Sequence, residues 1–299
     1  MKYLVVGATG LMGDTFMRTT PDAIGVDEKT LDIISKEQIN DYFEKEKEKF
    51  DTVINFAAFT NVDGAEAERG NEDGLVWRLN VEGPKFLAEA AKKYDKFLIH
   101  ISTDFVFEGT KEIPGPYSEE AEAASSPDRL GWYGWTKNRA EVEVMKANPD
   151  ASVVRTAYPF RVDLFAAKKD YAHGIISLFE EDKLYPMFTD QKLTVTFLED
   201  QIEALKKLAG VGKGGIYHVV NSGVTTPHEF ASYLLEKYAG KRVKVEEGLM
   251  EEFLKAPGRT PRPRLGGLET KKTERVLGME FRSWKEAVDE FIEKLGRRS

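Results

Sequence analysis

Short apolar runs alternate with amphipathic stretches through the first half of the chain. Tyr3-Leu4-Val5-Val6 is continuous and apolar, as in a strand buried on both faces of a parallel sheet. Leu11, Met12, Phe16 and Met17 follow at helical spacing. Asp22–Asp27 reads as a second strand, Phe50–Asn55 as a third, Lys96–Ser102 as a fourth and Ala151–Arg155 as a fifth. Between them, Ser35-Lys36-Glu37-Gln38 has the pattern of a capping box, opening a helix with Ile39, Tyr42 and Phe43 on its apolar side. Leu75–Tyr94 reads as one long helix with Leu79, Phe86, Leu87 and Ala90 inward, and Trp132–Met145 as another. Strands alternating with helices predict an α/β fold: a doubly wound parallel sheet of the Rossmann kind.

The rhythm breaks twice. Gly109–Leu130, with its prolines, acids and Ser125-Ser126-Pro127, reads as a long surface loop of the sort that walls a site. After Arg155 no clean strand–helix unit appears up to Phe188, and aromatic residues accumulate instead: Tyr158, Phe160, Phe165, Tyr171, Phe179, Tyr185 and Phe188. Phe197–Leu208 and Pro227–Tyr238 read as helices, the latter opened by Thr225 or Thr226. Gly215–Val220 reads as a strand, Lys255–Gly267 as a structured loop and Ser283–Leu295 as a closing amphipathic helix. The expected organisation is a dinucleotide-binding domain of residues 1–157 and 190–220, with a smaller, interrupted C-terminal substrate lobe of residues 158–189 and 221–299.

Composition narrows the function classes. The chain has 299 residues, 41% hydrophobic and 31% charged, which suits a soluble globular enzyme. Its formal net charge of −8 gives no basic footprint for nucleic acid. There are no cysteines, so disulfides, thiolate zinc sites and a cysteine nucleophile are excluded. His100, His173, His218 and His228 are scattered without ligand spacing, and no metal site is expected. Met1-Lys2 leads straight into a strand, and no apolar run approaches membrane-spanning length. No signal peptide or membrane association is therefore expected, and the default location is the cytoplasm.

The candidate chemistry starts at Gly7-Ala8-Thr9-Gly10-Leu11-Met12-Gly13, between the first strand and the first helix. In that context the first glycine allows the tight turn, the second lets backbone approach a pyrophosphate, and the third packs helix on strand. The helix N-terminus offers N–H groups and a partial positive charge to phosphates. Asp27 ends the second strand at the offset where an acid receives the ribose hydroxyls of NAD, which favours NAD, with NADP the alternative. Ala57 and Ala58 are small residues beyond the third strand, where a cofactor can lie against backbone. Thr103 follows the fourth strand, at the sheet edge where ligands collect. Tyr133 and Lys137 stand at i and i+4 on one helix face. A nearby ammonium is expected to lower the phenol below its ordinary value of ~10, letting the pair pass a proton near neutral pH.

Gly7-x-x-Gly10-x-x-Gly13, Thr103 and Tyr133-x-x-x-Lys137 together resemble an extended short-chain dehydrogenase/reductase. Within that group the chain is most similar to the dTDP-4-dehydrorhamnose reductase family. The likeness is carried by Asn55–Glu66, Leu79-Asn80, Ser102–Gly109, Tyr133-Gly-Trp-Thr-Lys137 and Arg155-Thr-Ala-Tyr158, with echoes at Asp190-Gln191 and Arg262-Pro263. The resemblance implies that Gly7, Gly10, Leu11, Met12 and Gly13 hold the pyrophosphate. It implies that Asp27 takes the adenosine ribose, that Asp32 and Ile33 flank the adenine, and that Ala57, Ala58 and Thr60 line the path to the nicotinamide. Lys137 would bind the nicotinamide ribose and tune Tyr133. Tyr133 would protonate the C4 oxygen of a nucleotide-linked 4-keto sugar as hydride arrives, with Thr103 hydrogen-bonded to that oxygen. Asp104, Phe105 and Tyr158 would touch the sugar, and Arg262 would pair with its diphosphate. A homodimer is the family-level expectation.

The chain departs from the family where the sugar would be chosen. The family usually follows Asp-Gln with a Gly and a Pro-Thr pair, whereas here the sequence is Asp190-Gln-Lys-Leu-Thr-Val-Thr196. The family usually has tryptophan at the position of Tyr158. Two other readings stand beside the reductase. One is a nucleotide-sugar epimerase on the same scaffold, a dehydratase being disfavoured by Phe105 where a second acid is needed. The other is a non-catalytic accessory chain like that of methionine adenosyltransferase.

Overall fold

The computed structural model describes residues 1–296. Its central sheet has six strands: β1 (Tyr3–Val6), β2 (Ile24–Val26), β3 (Thr52–Asn55), β4 (Phe97–Thr103), β5 (Ser152–Thr156) and β6 (Gly215–His218). Their order is β2-β1-β3-β4-β5-β6, and the pairs β1/β2, β1/β3 and β3/β4 are parallel. From β1 the chain moves outward to β2, then crosses back to β3 on the other side. That reversal creates the crevice at the carboxyl ends of β1 and β3 in which doubly wound sheets bind ligands. β1, β3 and β5 are buried along their whole length, as a sheet covered on both faces requires.

Two compact units divide the chain. The first comprises Met1–Phe107, Glu122–Arg155 and Ile202–Tyr217; the second comprises Glu108–Ala121, Thr156–Gln201 and His218–Ser299, whose last three residues lie outside the described part. In the first unit Leu4, Val53 and Leu98 from the sheet pack with Ile39, Phe43 and Leu87 from the helices. The second unit has its own core, in which Phe160 lies 5.2 Å from Phe197, 5.7 Å from Phe230 and 5.8 Å from Phe291 between ring centres. Residues 108–121 and 190–201, expected with the dinucleotide-binding part, fall in the second unit. Gly109 O accepts from Leu265 N (2.8 Å), Tyr117 N donates to Gly267 O (2.9 Å), and Asn221 Oδ1 accepts from Phe197 N (2.7 Å). The expected surface loop is thus partly internal, with Tyr117, Glu119 and Ala124 buried.

Several elements differ in detail from the sequence reading. Ser35 caps the helix Lys36–Glu46 by accepting from Gln38 N. The Gln38 side chain does not return to Ser35, its oxygen instead receiving Asp32 N (3.4 Å), so half of the box forms. The full reciprocal box occurs at Thr226 and Glu229, opening Pro227–Ala239. The expected helix Leu75–Tyr94 is interrupted by a π-turn at Arg78–Glu82 before continuing as Gly83–Lys93. Such turns admit one extra residue into a helix and often occur at functional sites. Here the inserted turn carries Asn80. No helix among the described residues is long and apolar enough to cross a membrane.

Candidate active site

The glycine turn separates two physical demands. Gly7 has φ +79°, and a Cβ there would stand 2.7 Å from Ala57 N; at Gly13 a Cβ would stand 2.2 Å from Gly7 O. Both glycines are required by the protein's own packing. Gly10 has φ −80° and is exposed, and a Cβ there would meet only Gly7 O, at an ordinary 3.4 Å. Nothing inside the chain demands glycine at that position, which is the signature of a surface kept clear for an external group. Gly10 is also the N-cap of the helix Leu11–Thr19 and supplies no side-chain acceptor to its first turn. This cradle fits a dinucleotide pyrophosphate.

Around the turn, Asp27 has a job in the fold itself. Its Oδ1 accepts from Thr30 Oγ1 (2.8 Å), Thr30 N (3.0 Å) and Lys29 N (3.2 Å), and the bonds from Thr30 hold the carboxyl below its usual range. Asp32 likewise accepts from Ile34 N (3.1 Å). The Ile33 side chain is buried in the core, where its Cδ1 leaves no room for a Cβ on Gly83.

The wall beyond β3 is set by two buried asparagines. Asn80 accepts from Phe59 N (2.8 Å) and donates to Phe59 O (3.2 Å) and Thr136 Oγ1 (3.0 Å). It thereby fastens the segment carrying Ala57, Ala58 and Thr60 to the helix Trp132–Ala147. Asn55 Oδ1 accepts from Ala57 N (3.0 Å), and its amide nitrogen lies 3.2 Å from His100 Nδ1.

Thr103 closes β4 and caps the short turn Asp104–Val106, accepting from Phe105 N (3.3 Å). Its hydroxyl lies 3.2 Å from Asp104 Oδ1, and Thr103 draws the nearby Tyr133 phenol downward. The Phe105 and Tyr133 rings meet edge to face at 5.8 Å. Helix Trp132–Ala147 can pass this close because residue 134 is glycine: a Cβ there would lie 2.3 Å from Phe105 O. Glu66 caps the start of the helix by accepting from Trp132 N (2.7 Å), and is itself held by Arg69 (2.7 Å).

The expected effect of Lys137 on Tyr133 is corrected by the geometry. Lys137 is buried and turns its amine to Ile101 O (2.7 Å) and His100 Nε2 (3.2 Å). Burial first, and then the Asp104 carboxyl, push the Tyr133 phenol up to about 12, partly offset by Thr103. Burial raises Asp104 to about 7 and lowers Lys137 to about 8. Tyr133 therefore stays protonated at neutral pH, the form a proton donor needs.

A third buried group had no sequence signal. Glu141 accepts from Arg155 Nε (2.9 Å) and Arg155 Nη2 (2.6 Å) and from Ser102 Oγ (2.5 Å), and the guanidinium lies over Phe107 at 4.7 Å. The second unit holds the remaining candidates. Tyr158 has φ +41°, a strained conformation for a non-glycine residue, and its hydroxyl accepts from Gln191 Nε2 (2.8 Å). Gln191 also reaches Pro263 O (3.4 Å), beside Arg262. Asp190 is occupied elsewhere, accepting from Met250 N (2.6 Å). Among the described residues no three His, Asp or Glu side chains gather as metal ligands.

A family model described as "RmlD substrate binding domain" matches residues 1–297. The dTDP-4-dehydrorhamnose reductase of Mycolicibacterium smegmatis is 30% identical, covering 97% of this chain and 85% of that one. The crystal structure of dTDP-4-dehydrorhamnose reductase from Bacillus anthracis in complex with NADP superposes with a TM-score of 0.84 at 27% identity, over 98% of this chain and 99% of that one. A UDP-glucose 4-epimerase from Thermotoga maritima, at 16% identity, covers 100% of this chain and 99% of that one with a TM-score of 0.77, and shows the shared fold alone.

Proposed function

The chain belongs to the RmlD substrate-binding-domain family, and from that membership we propose that it is an NAD(P)H-dependent reductase of the 4-keto group of a nucleotide-linked deoxysugar, as a dTDP-4-dehydrorhamnose reductase is. One observation carries the reading: the Tyr133 ring packs edge to face on Phe105, two residues beyond Thr103 at the carboxyl end of β4, with the phenol kept protonated. The cofactor, when bound, supplies the hydride. Gly7, Gly10, Leu11, Met12 and Gly13 are the residues to hold its pyrophosphate, with Ala57, Ala58, Thr60 and Lys137 toward the nicotinamide. Tyr133 gives its proton to the C4 oxygen, so that the carbonyl becomes a hydroxyl and the phenol a phenolate. Thr103 steadies that oxygen while its charge develops. Phe105 and Asp104 from the first unit, and Tyr158 and Arg262 from the second, are the substrate-side candidates; Arg262 suits a diphosphate.

Asp27 is proposed to favour NAD through the adenosine ribose, with Asp32 and Ile33 near the adenine. The NADP-bound relative supports use of either dinucleotide. A homodimer and a cytoplasmic location are further parts of the proposal. The Thr103, Tyr133 and Lys137 set argues for an enzyme rather than an accessory chain.

The test is a panel of nucleotide 4-keto sugars with NADH and with NADPH, following loss of reduced cofactor and identifying the product. Stoichiometric oxidation with a 4-hydroxy product supports the reductase. Interconversion of C4 epimers without net cofactor loss would replace it by the epimerase, and cofactor binding without any turnover by the accessory chain.

A further inference from the structure

Asp190, Gln191 and Lys192 each grip the segment that follows Arg262. Asp190 Oδ2 lies 3.4 Å from Arg264 Nη1. Lys192 N donates to Arg264 O (2.7 Å), and Lys192 O accepts from Gly266 N (3.0 Å). Gln191 does something its two neighbours do not. Its amide nitrogen lies 3.4 Å from Pro263 O and also 2.8 Å from the Tyr158 hydroxyl. All of these residues belong to the second unit.

The direction of both bonds is fixed. A carbonyl only accepts, so the Gln191 atom that faces Pro263 O is the NH2 group and not the amide oxygen. That group has two hydrogens, one for the carbonyl and one for the Tyr158 oxygen. Gln191 is buried, whereas Tyr158 and Arg262 each keep some surface. Tyr158 also holds a φ of +41°, and strain of that kind persists only where the surroundings over-determine the residue. Gln191 supplies part of that hold. Tyr171 supplies another part: its ring lies 5.1 Å from Tyr158 and stacks at 5.1 Å on Phe230 of the core.

We propose that Gln191 is a positioning residue that sets the spacing between Tyr158 and Arg262, and so matches the sugar to its diphosphate. One buried amide ties the ring on the sugar side to the backbone just beyond the arginine on the diphosphate side. A ligand that spans both groups gains from a spacing fixed in advance, because neither group has to be ordered as it binds. A diphosphate without its sugar uses one end alone and gains little. The inference rests on the reductase reading for what Tyr158 and Arg262 meet, but its tests involve no reduced cofactor and no turnover. Failure of the reductase reading shows separately, as 4-keto sugars left unreduced.

The experiment is calorimetric binding of two unreactive ligands to the full chain: deoxythymidine diphosphate and its glucose conjugate. Gln191→Glu keeps the shape of the side chain and removes both hydrogens. It should weaken binding of the conjugate about tenfold and of the bare diphosphate less than about threefold. Equal weakening of both would make Gln191 a support of the loop alone, and unchanged binding would remove it from the site. Either result overturns the proposal, as does a wild type that binds neither ligand. Gln191→Met, as long and uncharged, takes its place if that variant does not fold. Nitrogen-15 NMR of the ligand-free chain tests the link itself. Tyr158→Phe should shift the Arg264 amide signal in the wild type but not when Gln191→Met is also present; an equal shift in both overturns the proposal. In the wild type both side-chain hydrogens of Gln191 should exchange slowly with solvent, and rapid exchange overturns it without any variant.

Discussion

Glu141 grips Arg155 through both carboxylate oxygens, at 2.9 and 2.6 Å, while one of the same oxygens takes the hydroxyl of Ser102. Ser102 immediately precedes Thr103, and Glu141 lies one turn beyond Lys137. The ion pair therefore ties β4, β5 and the helix of Tyr133 to one another, one residue before Thr103 on β4. Arg155→Met should leave a buried carboxylate without its partner and cost about 3–5 kcal/mol. Urea unfolding measures this, and a loss below 1 kcal/mol or so, in the range of an exposed pair, would refute it.

Tyr133→Phe removes the proton and little volume. Turnover with a nucleotide 4-keto sugar should fall roughly 10²- to 10⁴-fold, the usual contribution of a positioned acid. Binding of reduced cofactor, followed by fluorescence, should stay nearly unchanged. Unaltered turnover would end the donor assignment.

Gly10→Ala and Gly13→Ala form a matched pair. At Gly13 the new methyl strikes backbone 2.2 Å away, and the fold should lose about 1–3 kcal/mol in thermal or urea unfolding. At Gly10 the methyl sits at an ordinary 3.4 Å, so stability should hold while dinucleotide affinity drops at least roughly tenfold. If Gly10→Ala binds as tightly as the wild type, the cradle is not a phosphate site.

Asp27→Ala should weaken NADH more than NADPH. The same substitution removes the acceptor of the Thr30 turn, so some stability is lost as well. Equal weakening of both cofactors would reduce Asp27 to a turn residue.

Asp104 makes stability depend on pH in a defined direction. Its folded value is raised to about 7 by burial, against ~3.9 in an unfolded chain. Between those values the folded state holds a proton that the unfolded state has lost, so stability falls as pH rises through the window and levels off above about 7. Asp104→Asn should flatten that decline, as read from urea midpoints at successive pH values. A decline that survives the substitution would assign it to another group.

The parts of this molecule legible in the sequence are the local ones. The turn Gly7–Gly13, the strand runs and the Tyr133/Lys137 spacing each lie within a few residues, where periodicity and steric rules act directly. What escaped depends on chain segments brought together by folding. Asn55 meets His100 across 45 positions, and the Lys137 amine reaches His100 across 37. The spacing of Tyr133 and Lys137 suggested an ammonium beside the phenol, but not that the amine would be spent on β4 instead. Gly134 is required by Phe105 O, which belongs to a distant segment of the chain. The role of Glu141 depends on Arg155 lying on the adjacent strand, which no local pattern announces. The aromatic cluster after Arg155 resolved largely into core, with Phe160 at its centre, because that unit needs an apolar interior of its own.

One of the two edge strands of the sheet, Gly215–His218, is translated long after the strand it covers. Until it emerges from the ribosome, one side of Ser152–Thr156 is a bare row of peptide donors and acceptors, the kind of surface that recruits stray chains. A fragment ending near Arg155 would hold the glycine turn, Thr103, Tyr133 and Lys137, yet would keep that raw margin permanently. Shortened versions of this protein should therefore clump rather than work, and any attempt to isolate its first unit has to stitch residues 202–217 back on.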